Sequence, residues 1–547
     1  MQRFKLLCVA LAVMLLFSCM DVGIMNSIAV GEEKKVSMVL EEQKLYASAT
    51  INDDFDDSHI IVVLSNAASL AKFQYRLNDF SEVNCKSITN MTQSSTDIVA
   101  TKISEEKMSE QRDASSEYVT FSGYHEVNTE EFNQILLLEL AEPGKENVLV
   151  AINKLEQRTD VIYAGPNYFL DCEANEASET SLVRTSSNDL ISEQWALDTI
   201  NLPDAWEIEI GMTRKVVVGI IDSGIDGSHP DFGYAVNASK SRDIDTDGVA
   251  HTVTVATDST GHGTMVAGVI GAMSHNTIGI SGVNWDVELV SLKLLRNSQG
   301  KSSVAAMIKA LLVAQELGVQ ILNMSTHITE YNGYVPGITQ AANAFGGLIV
   351  CAAGNNGTEL QSNHMLYPTC LDIDNMIVVG ASTRYDYVWI DSNYSAEIVD
   401  LFAPGHYILS TYPTAMCSSD TCSPFEHHSN GYHYGDGTSL AAPYVTGVAS
   451  LLMAMYADYT ISVDAMIYHI KNGVDVMQPY QGKCVTGGRL NAYKVLSEHN
   501  FALTCDQYDS TRHRGYCLCG DAKLMPHTWI YTGDMRICSG CSYYEYI

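Results

Sequence analysis

Five short, almost unbroken apolar runs limit most strongly what this chain can fold into. They are Lys215-Val-Val-Val-Gly-Ile-Ile221, Glu288-Leu-Val-Ser-Leu-Lys-Leu294, Gln320-Ile-Leu-Asn-Met324, Gly347-Leu-Ile-Val-Cys-Ala-Ala353 and Met376-Ile-Val-Val-Gly380. A strand that is apolar on both faces must be buried on both faces, as happens in parallel sheets roofed by helices. Helical stretches fall between and after the runs, at His262 to Met273, Ser302 to Leu317, Tyr334 to Ala344 and from Ser439 onward. The alternation predicts an α/β class, with a doubly wound, mainly parallel sheet. In such sheets the working residues gather at the carboxyl ends of strands, which is where Asp222, the residues after Met324, and Asn355 fall.

The last helical stretch follows Gly435-Asp-Gly-Thr-Ser-Leu-Ala-Ala-Pro443. Val445, Val448, Leu451, Leu452 and Met455 repeat at helical spacing, and Pro443 fits the first turn of a helix, where its missing N–H would have no partner. Ser439 then stands at a helix start, where unpaired N–H groups and the positive end of the dipole favour developing negative charge. Taken alone, Ser439 reads more readily as an N-cap, and only the rest of the chain overturns that reading. Asp222 ends a buried run in Ile221-Asp-Ser-Gly224, and His262 opens a helical stretch in Gly261-His-Gly-Thr264. A carboxylate at a strand end can hold an imidazole in one tautomer and stabilise its cation. Asn355, in Ala352-Ala-Gly-Asn-Asn-Gly357, carries a side-chain amide suited to an oxyanion.

The order Asp222, His262, Ser439, with the first two 40 positions apart, resembles that of the subtilisin family of serine endopeptidases (subtilases). Gln194-Trp195, Ala205-Trp206, Leu401-Phe-Ala-Pro-Gly405 and Gly487-Gly-Arg-Leu-Asn-Ala492 extend the resemblance over about residues 189–497. It implies a subtilisin-like fold with Ser439 as nucleophile, His262 as general base and acid, and Asp222 orienting His262. Asn355 would serve the oxyanion hole. Ser325, Thr326 and His327 would line the substrate channel with Ala352, Ala353 and Gly354. The family usually has Ser-Leu-Gly where this chain has Ser325-Thr-His327, so His327 is expected either to narrow the channel or to turn to solvent. Met265 and Leu440 also depart from the family pattern, with apolar residues. The resemblance further implies a calcium site at Asp231, Asn276 and the carbonyls of Ile278 and Ile280, with Asp189 as an extra ligand. A unit at residues 51–170 resembles the family's inhibitory propeptide, chiefly through Val161-Ile-Tyr-Ala-Gly-Pro-Asn167. The implied partners are protein or peptide substrates and the chain's own propeptide, as an intramolecular inhibitor. A catalytically silent subtilase fold used for binding is the rival reading, and it would be favoured by a lost triad residue. An unrelated α/β hydrolase is disfavoured because Gly437-Thr-Ser-Leu-Ala441 lacks the closing glycine of the nucleophile elbow.

Composition bears on location and partners. The 32 Lys+Arg against 65 Asp+Glu leave a formal charge of −33, which excludes nucleic acid and anionic membrane surfaces as partners. Residues 1–29 read as an export signal: a basic start, an apolar run from Leu6 to Met20, and small residues before a cut after Ala29. Leu16-Phe-Ser-Cys19 offers the alternative of a lipid anchor at Cys19 on the cell surface. No later run suits a transmembrane segment. Asp171 to Ser187 is polar and reads as an exposed linker containing the maturation site. Residues 501–547 form a small Cys-rich tail without periodicity. Its cysteines are expected in disulfides, with Zn²⁺ at Cys517, Cys519, Cys538 and Cys541 as the alternative. Core and tail each hold five cysteines, so full pairing requires a bridge between them, for which Cys484 and Cys505 are nearest.

Overall fold

The computed structural model describes residues 49–65, 75–92, 133–171, 175–176, 190–297, 300–328, 333–416, 427–428, 431–456 and 461–497, and short strands between 504 and 546. The export signal, Cys19, Asp189, Cys417 and Cys422 lie outside the described residues, as do the side chains of the tail.

The first unit is an antiparallel sheet with one helix. Strands β1 (Phe55–Leu64), β2 (Cys85–Asn90), β3 (Ile135–Leu140) and β4 (Val161–Asp171) pair in the order β4-β1-β3-β2, and helix α1 (Lys145–Leu155) packs against β1 and β4. Cys85–Asn90 gave no sequence signal, because the strand is polar and half-exposed. A two-residue strand, β5 (Asn175–Glu176), follows.

The second unit is built on a ten-stranded sheet. Its strands are β6 (Val217–Asp222), β7 (Arg242–Ile244), β8 (Ala250–Thr252), β9 (Glu288–Leu294), β11 (Ile321–Met324), β13 (Leu348–Ala352), β14 (Met376–Ser382), β15 (Leu401–Pro404), β19 (Val474–Val476) and β20 (Gly488–Leu490). They lie in the order β19-β20-β15-β14-β13-β11-β6-β9-β7-β8. All neighbours run parallel except at the two edges, where β8 and β19 are antiparallel. From β6 the chain passes through β7 and β8 to β9 on one side, and later strands add on the other through β11. Strand β6 is therefore the switch point, where ligands bind at the carboxyl ends of such sheets. The helices include α2 (His262–Gly271), α3 (Val304–Glu316), α4 (Pro336–Ala344), α5 (Thr438–Ala454), α6 (Val463–Asn472) and α7 (Ala492–Ser497). Helix α5 is buried at all 17 positions and lies across β11, β13, β14 and β15. Each fully buried Val or Leu of that helix contributes about 1.5–3 kcal/mol, which outweighs the weak helix propensity of Gly447.

Shorter strands join the units. β10 (Ser302–Ser303) and β12 (His327–Ile328) both pair with the end of β4. β16 (Ile408–Thr411), β17 (His427–His428) and β18 (Tyr432–Asp436) form a small sheet that β5 joins through Gly435 and Asp436. Within the polar stretch after Leu170, Asp171, Asn175 and Glu176 are strand residues, while residues 172–174 and 177–187 lie outside the described residues. Backbone pairing outweighs side-chain polarity there, because a strand ladder uses main-chain groups that every residue except proline carries in full.

In the tail, where the sequence lacks periodicity, two three-stranded antiparallel sheets occur. They are β21 (Thr504–Gln507), β22 (Arg512–Tyr516) and β23 (Ala522–Pro526), then β24 (Trp529–Thr532), β25 (Met535–Cys538) and β26 (Tyr544–Tyr546). The expected Cys484–Cys505 bridge is not formed: Cys484 is a buried free thiol, with its Sγ 3.7 Å from the Gly488 carbonyl oxygen. Spacing along the chain brought the pair to attention, but Cys484 points back into its own turn.

Candidate active site

Buried strand β6 delivers Asp222 to the switch point, fully buried. Helix α2 starts opposite it, after Gly261 at φ +92°. The carboxylate of Asp258 ties the two together. It accepts from the backbone N–H groups of Thr260, Gly261 and Thr264, from the Thr264 hydroxyl at 2.6 Å, and from the Ser223 hydroxyl at 2.7 Å. Gly263 permits the close approach, since a Cβ there would lie 2.1 Å from the Gly224 carbonyl oxygen.

His262 is the first residue of α2, and its Nδ1 is 2.7 Å from Asp222 Oδ1. A carboxylate at that nitrogen fixes the hydrogen on Nδ1 and leaves Nε2 free to accept a proton. Burial disfavours the imidazolium, but the charge and hydrogen bond of Asp222, with Asp258 behind it, outweigh burial and raise the His262 pKa above its ordinary value. His262 Nε2 is buried and hydrogen-bonded to no protein group.

Ser439 is the second residue of α5, and its Oγ is likewise buried and without a hydrogen-bond partner. The helix begins at Thr438, so Pro443 lies inside it and not in the first turn, correcting the sequence expectation. A proline inside a helix leaves the carbonyl four residues earlier without its N–H partner. Here that carbonyl belongs to Ser439, and the Ser325 hydroxyl donates to it at 3.2 Å. Proline is tolerated because the Ser325 hydroxyl replaces the missing bond.

Asn355 lies just beyond the end of β13, and its Oδ1 accepts from the N–H and hydroxyl of Thr438 at 2.9 and 2.8 Å. Thr438 Oγ1 in turn accepts from the Gly354 N–H at 3.0 Å. A Cβ on Gly437, which has φ +149°, would lie 2.8 Å from Ser439 Oγ and 3.2 Å from Asn355 Nδ2. The amide donor and the serine oxygen thus border one small space that only glycine leaves open.

The two segments expected to line the substrate channel also meet here. Ser325 and Thr326 are buried beside Ser439's helix, and Ala352, Ala353 and Gly354 lead into Asn355. His327 pairs through its backbone with Asp171, so the chain's own β4 runs along this edge. Asp231, Asn276, Ile278 and Ile280 also come together. Asp231 accepts from Asn276 Nδ2 at 2.6 Å, from the Ile280 N–H at 2.9 Å and from the Tyr432 hydroxyl, while Asn276 Oδ1 accepts from the Ile278 N–H. The sequence pattern gave no weight to Asp258, which lies just before the Gly261–Thr264 motif, or to Thr438, inside the serine motif, although an acid four residues before the histidine and a threonine before the serine were readable capping signals.

The subtilase family model matches residues 213–479. The chain is 30% identical to thermitase of Thermoactinomyces vulgaris over 308 residues, covering 56% of this chain and 96% of that protein. It is 34% identical to subtilisin DY of Bacillus licheniformis over 248 residues, covering 45% and 80%. In fold it is similar to fervidolysin of Fervidobacterium pennivorans, with a TM-score of 0.59 at 20% identity over 85% of this chain and 64% of that one. With Asp222, His262 and Ser439 on the elements described above, this chain belongs to the subtilase family of serine proteases.

Proposed function

We propose that the chain is a secreted serine endopeptidase made as a self-processing precursor. Ser439 Oγ attacks a peptide carbonyl carbon while His262 Nε2 takes its proton. The tetrahedral oxyanion accepts from Asn355 Nδ2–H and the Ser439 N–H. The C–N bond then breaks as His262 returns the proton to the leaving amine, and water releases the acyl group by the same steps in reverse. Asp222 stabilises the imidazolium without taking the proton.

The observation that carries the precursor reading is the path of the chain's own backbone. Leu170 pairs with Ser302 on one side and Ile328 on the other, and Asp171 pairs with His327. By Asn175 the partner is Asp436, three residues before Ser439. Peptide binding by strand addition uses main-chain bonds of this kind. The first unit therefore acts as the inhibitory propeptide, and the bond cut in maturation is assigned to the segment between Asp171 and Asn175. The test is the Ser439→Ala precursor, which should stay intact while the parent chain yields a new N-terminus between residues 172 and 175. Equal maturation of the alanine variant in a protease-free preparation would mean that another enzyme makes the cut.

Export rests on residues 1–29, with the lipid anchor at Cys19 as its alternative. Among the described residues no helix is long and apolar enough to cross a membrane. Disulfides in the tail remain the preferred reading over Zn²⁺. Calcium suits the residues around Asp231 poorly as they are placed. N–H and O–H donors face the carboxylate, and Asn276 turns its nitrogen toward Asp231, whereas Ca²⁺ needs several converging oxygens. Binding would require the Asn276 amide to turn over, and no step is derived through the ion.

A further inference from the structure

We infer that Asn393, outside every motif used above, is the positioning residue that sets the oxyanion donor. Asn393 is fully buried in the connection after β14. Its Oδ1 accepts three hydrogen bonds at 3.1 Å, from the Asn356 N–H, the Thr358 N–H and the Thr358 hydroxyl. Its Nδ2 donates to the Ala353 carbonyl at 3.0 Å, and its backbone N–H donates to the Gly354 carbonyl at 2.9 Å. One residue thus grips the chain on both sides of Asn355, at 353 and 354 before it and at 356 and 358 after it.

This grip leaves a single conformation for the turn. Gly354 has φ +93°, and a Cβ there would lie 2.5 Å from Leu366 Cδ2 and 2.6 Å from Asn393 Nδ2, so the turn packs on these side chains too closely for any residue but glycine. Gly357, at φ +63°, donates to the Asp391 carbonyl at 2.7 Å and closes the same ladder. Asn393 itself is held, since the Ser392 hydroxyl donates to its carbonyl and also accepts from the Ala381 N–H in β14. Asn355 is therefore located from two directions: its side chain by Thr438, and its backbone by Asn393 from the sheet. An oxyanion donor works only if it is in place before charge develops, and a displacement of about 1 Å is enough to cost two orders of magnitude in rate. A primary amide suits the position because it supplies an acceptor for three donors and a donor for one carbonyl; an acid or a hydroxyl supplies only part of that set.

The inference rests on the reading of Asn355 as the oxyanion donor, and a double-mutant cycle separates the two. Mature enzyme is assayed on a small peptide substrate, with kcat expressed per serine titrated by a fluorophosphonate. Asn393→Asp is nearly isosteric and keeps the acceptor while turning a second oxygen on the Ala353 carbonyl. It should lower kcat 10- to 100-fold with KM changed less than about twofold. In an Asn355→Ala background the same change should lower kcat less than threefold, because the donor it positions is gone. Asn393→Ala is the more severe variant; should it fail to fold, Asn393→Asp carries the test. An equal loss of kcat in both backgrounds, or a loss expressed in KM, would overturn the positioning role. An unchanged kcat in Asn355→Ala alone would instead remove the oxyanion reading beneath it.

Discussion

Asn355 Oδ1 accepts two hydrogen bonds from Thr438, and this pairing decides which end of the amide faces the serine. With its oxygen engaged on Thr438, the amide can offer only Nδ2 to an incoming carbonyl oxygen. Thr438→Val keeps the shape, removes one of the two bonds and leaves the Gly354 N–H without its acceptor. It should lower kcat about tenfold with little change in KM, since the loss falls in the transition state. A change confined to KM would show that Thr438 shapes substrate binding instead.

Gly437 tests the same space by filling it. At φ +149° an alanine is strained, and its Cβ would intrude on both Ser439 Oγ and Asn355 Nδ2. Gly437→Ala should cost at least the ~10²–10³ in kcat that losing one oxyanion donor costs, a magnitude that comes from a subtilisin and is carried over to this relative. Steady-state kinetics on folded protein check it; near-parent activity would mean that the space is not where the oxyanion forms.

The pH profile follows from His262. Its pKa is raised, and only the neutral ring can accept the serine proton, so activity is lost as pH falls through that raised value. The acid limb of kcat/KM should lie above pH 6.5, the ordinary histidine value. Asp222→Asn should lower kcat about 10⁴-fold through the wrong tautomer and move the remaining acid limb downward. An unmoved limb would assign the titration to another group.

His59, on β1, gives the precursor a pH dependence of its own. Burial disfavours its charge, but Asp56, bonded to Nδ1 at 3.2 Å, outweighs burial and raises its pKa, helped by Asp247 at 3.7 Å and by Glu139 opposite it on β3. The Asp56 pKa is lowered despite burial, because His59 and Ser58 favour its charged form. The raised histidine contributes stability that is complete below about pH 6.5 and lost as pH rises through its folded pKa. The lowered aspartate contributes stability that is present above about pH 4 and lost as pH falls through its own folded pKa. Thermal unfolding of the Ser439→Ala precursor should therefore show the first unit held best between about pH 4 and 6.5. His59→Gln should remove the loss at higher pH; the same pH dependence in both proteins would contradict the assignment.

The five apolar runs predicted the centre of the sheet because strands buried on both faces must be apolar throughout, and β6, β9, β11, β13 and β14 are those strands. The edges were not readable. Strands β7, β8, β19 and β20 are three residues each, too short for any periodicity to show. The residues of the expected triad stand on the expected elements because each ends or begins one, where capping and turn residues leave local signals. Asn393 left none: the five hydrogen bonds with which it grips the turn reach residues 35 to 40 positions earlier in the chain, and no local pattern encodes such a contact. The pairing of Asp171, Asn175 and Glu176 was missed for the same reason, since their partners lie at 327 and 435–436.

Ser439 as the nucleophile, activated by His262, is open to chemical labelling. The most direct measurement treats the processed enzyme with a fluorophosphonate and maps the adduct by peptide mass spectrometry. One adduct per chain is predicted, on the peptide carrying Ser439. His262→Ala should slow its formation by several orders of magnitude while leaving the protein folded. An adduct on another residue, or a labelling rate that does not depend on His262, would contradict the account.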